Sequence, residues 1–253
     1  MKPFLDLSGK AFVITGSGSG IGRETTKLCY EYGAKLLLVD QNENGLIETT
    51  REMDTVRYQL RAFDLTDYDQ IETSIAAAVE QLGPFSGFCH CAGFEYTLPI
   101  KTMTPRHYQE LFAINTIAGF ELARVLSKKK YSDSAGASFV FIASIMGVVG
   151  RPGLTGYSAS KGALISGARS MALELASKNI RVNCVSPGTV RTELIEKMLK
   201  NLEPEQREKR LGDFPLGIGI PTDVASLVVF LLSERSKWIT GTNITIDGGY
   251  TAK

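Results

Sequence analysis

The sequence predicts an α/β fold, a Rossmann-like doubly wound parallel sheet of about seven strands flanked by helices, in a single domain over 1–253. Three observations lead there. Short β-rich runs alternate with longer stretches of helical period. Several of those runs are apolar almost throughout, as strands covered by helices on both faces must be. A glycine-rich turn follows the first run and opens straight into a helical pattern.

The elements then take their places in order. Ala11-Phe12-Val13-Ile14 is the first strand, followed by Leu36-Leu37-Leu38-Val39, Val56 to Ala62 and Phe85 to Cys89. Ser138 to Ile142, Ile180 to Val185 and Ile244-Thr245-Ile246 complete the set. Gly33 and Gly83 stand just past their helices as C-terminal glycines. Asp67 and Asp223 stand where N-caps are expected, and Thr104-Pro105 sets a capping residue before proline at the first helical position. Lys128-Lys129-Lys130 reads as a solvated helix end, where cations suit the dipole. The stretch Glu193 to Gly219 reads as one or two short helices and a mobile connection, and 189–219 is the expected substrate cover.

Composition narrows the function classes. With 43% hydrophobic and 22% charged residues, the chain needs neither metal nor disulfide to build a core. A formal charge of +1 gives no field that would draw it to nucleic acid or to anionic lipid. No apolar run approaches the roughly 20 residues that cross a bilayer, and MKPFLDLSGK lacks the apolar core of a signal peptide. The expected location is the cytoplasm. Four scattered cysteines agree with a reducing compartment, and no metal site is expected. Cys89-His90-Cys91 alternates between strand faces, and His107 is the one other histidine.

Phe12-Val13-Ile14 runs into Thr15-Gly16-Ser17-Gly18-Ser19-Gly20-Ile21-Gly22, a strand, a glycine turn and a helix start. Glycines let backbone approach a pyrophosphate, and the free amides at the following helix favour its charge. Asp40 ends the second strand, where a carboxylate accepts hydrogen bonds from ribose hydroxyls and repels a 2′-phosphate. NAD is therefore favoured over NADP. A cap on the helix starting near Asn42 is the competing role for Asp40.

Later, Ser144 ends a β-run, and Tyr157-Ser158-Ala159-Ser160-Lys161 opens a helix rich in small residues. Tyr157 and Lys161 are four apart, on one helix face. An ammonium beside a phenol stabilises the phenolate and lowers a pKa of about 10, making the phenol a usable acid or base.

Taken together, Thr15, Gly16, Gly20, Gly22, Asp64-Leu65, Asn115, Ser144, Tyr157, Lys161, Pro187-Gly188 and Thr192 resemble the short-chain dehydrogenase/reductase family over nearly the whole chain. The resemblance implies that Tyr157 is the acid/base, Lys161 holds the nicotinamide ribose, Ser144 positions the substrate oxygen and Asn115 anchors a water of the proton relay. It also implies cofactor contacts from Gly16, Ser17, Ser19, Gly20, Ile21, Asp40, Asp64, Leu65, Cys91, Ala92, Gly93, Tyr157, Lys161, Pro187, Gly188, Val190 and Thr192. Where the family usually carries Asn-Asn-Ala-Gly, this chain has His90-Cys91-Ala92-Gly93, which cannot repeat every amide hydrogen bond.

The ending Ile244 to Tyr250 looks most like the 3-oxoacyl-acyl-carrier-protein reductases and the sugar or polyol dehydrogenases near them. The expected reaction is hydride exchange between nicotinamide and a secondary alcohol or ketone, with a 3-oxoacyl thioester and a sugar or polyol as the two substrate readings. Acyl carrier protein is a partner only under the first. A non-catalytic NAD-sensing protein on the same fold is the rival from another class. The small residues Ala159, Ala163, Ser166, Gly167 and Ser170 form a ridge that lets another helix approach. The resemblance extends that to a symmetric homotetramer.

Overall fold

The computed structural model describes residues 4–201 and 203–252, for 194, 206 and 209 by their backbone only. Of the expected 1–253 domain, residues 1–3, 202 and 253 lie outside the described residues. The strands are β1 (Ala11–Thr15), β2 (Lys35–Asp40), β3 (Tyr58–Ala62), β4 (Phe85–His90), β5 (Ala137–Ile142), β6 (Ile180–Pro187) and β7 (Asn243–Ile246). The helices are α1 (Gly20–Glu31), α2 (Glu43–Thr50), α3 (Tyr68–Leu82), α4 (Pro105–Phe112) and α5 (Ala118–Leu126). They continue with α6 (Thr155–Leu175), α7 (Glu193–Lys200), α8 (Pro204–Gly212) and α9 (Pro221–Leu232). Among the described residues no helix is long and apolar enough to cross a membrane.

All strand pairs are parallel, in the order β3-β2-β1-β4-β5-β6-β7. Alternation along each strand feeds two cores. Phe12, Ile14, Leu36, Leu38 and Val140 point to one face, beneath Cys29 of α1, Leu46 of α2 and Val228 of α9. Val13, Leu37, Phe88, Phe139 and Val182 point to the other, beneath Ile75 of α3, Leu122 of α5 and Leu164 of α6. Both faces are therefore apolar, which is why the strands read as continuous hydrophobic runs.

Local chemistry moves some boundaries. Val56 lies in a 3-10 turn, Thr55–Arg57, so the third strand begins at Tyr58 rather than where the apolar run does. The Asp54 side chain accepts the Val56 N–H there and holds the turn. Asp223 is not an N-cap: Pro221 takes the first helical position, and Asp223 Oδ2 reaches back to accept the Ile220 N–H at 2.8 Å. Asp67 does precede α3, but its carboxylate takes the Gln70 side chain instead of a helix amide. Thr104 and Pro105 start α4 as expected. The basic run is less solvated than its charge suggests, because Lys128 and Lys130 both bond Glu72. Gly167 packs inside the chain, where a Cβ would overlap the Phe120 ring, so that part of the small-residue ridge serves α6 against α5.

Order reversal between β1 and β4 opens a crevice at the strand carboxyl ends, where ligands bind in such sheets. His90 closes the bottom of that crevice. It is buried, with Nδ1 2.8 Å from Thr15 Oγ1 and Nε2 3.1 Å from the Ile114 carbonyl. A carbonyl only accepts, so Nε2 carries the proton and Nδ1 receives the threonine hydroxyl. Thr15 Oγ1 is then free to accept the Ala92 N–H at 3.3 Å. One neutral imidazole thus joins β1, the turn after β4 and the π-helical turn Ala113–Ile117 between α4 and α5.

Burial, followed by the Lys161 charge, pushes His90 down from 6.5 to about 3. Folded protein keeps it neutral until pH falls near that value, whereas the unfolded chain takes up a proton near 6.5. Its contribution is therefore present above pH 6.5 and lost as pH falls toward 3. Between pH 7 and pH 5 the wild-type protein is expected to lose about 2 kcal/mol more stability than a His90→Asn variant. Urea unfolding at the two pH values measures this, and equal losses would show that His90 is not held neutral.

Candidate active site

Two connected cavities lie at the carboxyl ends of the strands. The larger, about 1050 Å³, runs from Asp40 past Gly16, Ser19, Gly20 and Asp64 to Thr192. The smaller, about 230 Å³, holds Ser144, Tyr157 and Lys161. Ile21, Cys91, Gly93, Phe94 and Thr192 line both, so one ligand can occupy the two together.

The glycine loop shapes the larger cavity. Gly16 has φ +66°, and a Cβ on it would stand 2.8 Å from the Ala92 nitrogen; a Cβ on Gly20 would stand 3.1 Å from Thr192 Cγ2. Side chains here would fill the space that a pyrophosphate needs, and the amino end of α1 begins at Gly20. Ser19 precedes α1 without capping it, which leaves the first amides to a ligand. Arg23 fixes the loop from below, donating to the Gly18 carbonyl at 2.6 Å. Asp40 accepts the Gly18 N–H and the Asn42 N–H, one on each oxygen and each at 2.9 Å. It does not cap α2, whose N-cap is Asn42 with its own side chain on the Gly45 N–H. Each carboxylate oxygen keeps acceptor capacity for a hydroxyl. The loop and Asp40 fit a nicotinamide dinucleotide.

The smaller cavity collects the polar groups of the reaction centre. Lys161 is buried and its Nζ donates to the Ile142 carbonyl at 2.8 Å, 5.8 Å from the centre of the Tyr157 ring. Burial pulls Lys161 down to about 8. Burial also pushes the Tyr157 phenol up to about 12, against the downward pull of a hydrogen bond from Ser144, with the Glu95 charge adding to the rise. The ammonium, 5.8 Å from the ring centre, does not lower the phenol; desolvation disfavours the phenolate and sets the direction. At neutral pH the phenol is protonated and poised to donate.

Asn115 lies in the π-helical turn and faces neither cavity. Its Oδ1 accepts the Phe94 N–H at 3.0 Å, and its Nδ2 donates to the Phe94 carbonyl at 3.0 Å and to Ser160 Oγ at 2.9 Å. Ser160 Oγ in turn donates to the Tyr157 carbonyl at 2.8 Å. A single amide therefore docks the loop after β4 onto the first turns of α6. Of the expected contacts, Leu65 and Ala92 line the larger cavity and Pro187, Gly188 and Val190 the smaller. Ser17 lines neither; it is buried, with its hydroxyl on the Val39 carbonyl. Arg210, Phe214 and Tyr250 in the smaller cavity were not indicated by any motif, since they arrive from distant segments. Cys89 and Cys91 share a strand face with sulfurs 3.4 Å apart, while His90 turns to the opposite side.

Comparisons with known proteins agree with this geometry. The family model described as Enoyl-(Acyl carrier protein) reductase matches residues 16–251. The 3-oxoacyl-[acyl-carrier-protein] reductase FabG of Thermotoga maritima is 33% identical over 247 residues, covering 96% of this chain and 98% of its own. The 2-(S)-hydroxypropyl-CoM dehydrogenase 3 of Xanthobacter autotrophicus is 31% identical, covering 97% and 98%. A solved short-chain dehydrogenase/reductase from Brucella melitensis, titled a glucose/ribitol dehydrogenase, superposes with a TM-score of 0.90 at 28% identity, covering 97% of this chain and 98% of its own. With its glycine loop, its seven parallel strands and its Ser144, Tyr157 and Lys161 in one cavity, the chain belongs to the short-chain dehydrogenase/reductase family of oxidoreductases.

Proposed function

We propose that the protein is an NAD-dependent oxidoreductase that exchanges hydride with a secondary alcohol or ketone, with Tyr157 as its acid/base. The observation that carries the reading is the meeting of Ser144, Tyr157 and Lys161 at one end of a cleft whose other end is Asp40. Nicotinamide dinucleotide bound along the cleft supplies or accepts the hydride. Gly16, Ser19, Gly20 and Ile21 cradle its phosphates, Asp40 takes the adenosine ribose, and Asp64, Leu65, Cys91, Ala92 and Gly93 border the adenosine side. Pro187, Gly188, Val190 and Thr192 border the nicotinamide, and Lys161 reaches its ribose.

During ketone reduction, Tyr157 passes its proton to the oxygen as negative charge develops there, and Ser144 orients that oxygen. Oxidation runs the same transfer in reverse. A phenol protonated at neutral pH suits the reducing direction. Asn115 supports the relay that returns a proton to Tyr157. Segment 189–219 closes over the substrate: α7 and α8 supply Ile195 and Arg210 to the smaller cavity. Reduction of a 3-oxoacyl thioester, on or off an acyl carrier protein, is the second reading, favoured by the likeness to the FabG reductase. A cytoplasmic location accords with either.

The test measures oxidation of NADH and, separately, of NADPH by the purified protein with an acetoacetyl thioester and with simple ketones. NADH is expected to be the better donor, and a strong preference for NADPH would overturn the role given to Asp40. Tyr157→Phe is expected to lower kcat by about 10²–10⁴-fold while NADH still binds. Undiminished turnover in that variant would remove Tyr157 from the chemistry.

The assembly is proposed to be a homotetramer built on α5 and α6. Leu173 on α6 is 83% exposed, and Ala159, Ser166 and Ser170 are exposed along the same helix, surface that a second copy would cover. Sedimentation as a monomer at micromolar concentration would refute this.

A further inference from the structure

The smaller cavity contains two guanidinium groups that the proton transfer does not use. Arg151 comes from the loop ahead of α6 and Arg210 from α8. Apolar side chains, among them Met146, Leu154, Ile195 and Phe214, make up much of the remaining wall. Arg210 Nε is buried and has no hydrogen-bond partner. Neither guanidinium is engaged in a side-chain hydrogen bond or ion pair among the described residues. By contrast, Arg23, Arg106 and Arg124 each meet a carboxylate, at 3.1, 2.7 and 2.6 Å.

Two like charges share this space at a cost. Burial and then the Arg151 charge lower the pKa of Arg210, while Glu95, Asp213 and Tyr250 act the other way. Glu95 is exposed and accepts the Thr97 hydroxyl rather than a guanidinium. Arg151 is exposed and Arg210 half-buried, with its Nε sealed from solvent and unpaired; an unpaired buried donor is unfavourable unless a ligand completes it, and the planar fork of a guanidinium matches an oxyanion.

We infer that Arg151 and Arg210 form an anion subsite at the end of the substrate cavity away from the reacting carbon, so that the substrate is a small ketone or secondary alcohol carrying a carboxylate or a comparable oxyanion. The reacting end of that substrate rests on the oxidoreductase reading above; the anionic end rests on the arginine pair alone. A cavity of about 230 Å³ admits a short chain between the two.

The test separates the two readings by measuring binding apart from turnover. NADH-loaded protein is titrated calorimetrically with 4-oxopentanoate and with its uncharged isostere hexane-2,5-dione, and the same pair is assayed for reduction. The carboxylate is expected to bind at least about tenfold more tightly than the dione. Arg151→Gln and Arg210→Gln are each expected to remove most of that preference, with circular dichroism confirming that both variants fold. Equal binding of the two probes, or a preference that survives in both variants, would overturn the subsite. Absence of reduction with a preserved, arginine-dependent binding preference would support the subsite and count against the oxidoreductase reading alone. Sulfonate and phosphonate analogues of the same chain length then identify the oxyanion by which binds most tightly.

Discussion

The junction of two strand ends, Thr15 of β1 and His90 of β4, is the constraint on which the site depends. These residues are paired across the sheet, and the chain leaves both at once, into the glycine loop on one side and into Cys91-Ala92-Gly93 on the other. Separation of the two loops fixes the width of the cofactor cleft, and the Ala92–Thr15–His90 hydrogen-bond chain sets that separation. The same imidazole holds the Ile114 carbonyl, one residue before Asn115. Loss of its neutral form would place a second charge, buried, beside the Lys161 ammonium and would turn the Thr15 hydroxyl from donor to acceptor toward the ring, disturbing both loops together.

Burial governs the electrostatics of the reaction centre more than pairwise attraction does. Lys161 and Tyr157 are shifted in opposite directions by the same cause, since desolvation penalises a cation in one and an anion in the other. Lys161 does its structural work through the Ile142 carbonyl at the end of β5, which fixes α6 relative to the sheet. Gly93 completes the arrangement, because a Cβ there would press on both Asn115 Oδ1 and Lys161 Nζ. Glycine at this position lets the Asn115 amide and the Lys161 ammonium approach the backbone closely.

Most of the fold was legible because both its signals are local. Apolar runs gave the strands, and the glycine turn beside Asp40 located the crevice before any coordinates. Tyr157 and Lys161 were legible for the same reason, being four residues apart on one helix. What escaped depends on separation in sequence. His90 was visible only as a departure from the family pattern, since its partners Thr15 and Ile114 lie 75 and 24 residues away. The π-helical turn that aims Asn115 has no apolar signature distinct from the helices it joins. Arg210 sits in a segment of mixed charge, where one more arginine carries no signal until the chain folds it under the cavity. Spacing reports the proximity of Tyr157 and Lys161, but not the burial that raises the phenol.

The two cavities share a wall in the segment that carries α7 and α8. Arg23, in the first turn of α1, holds the glycine loop through Gly18 and reaches Glu193 at the start of α7 with its other nitrogen, at 3.1 Å. Thr192 immediately before it borders both cavities and accepts the Ile195 N–H, starting that helix. Glu193 and Lys197 then face the larger cavity while Ile195 faces the smaller, as the period of a helix laid along their boundary requires. Arg210 follows on α8 and brings its charge to the substrate side. Arg23 thus ties the position of the glycine loop to that of the segment that walls the smaller cavity. An exposed ion pair such as this one is worth little on its own. Its consequence lies in position, since it joins the glycine loop to the helices that wall the smaller cavity.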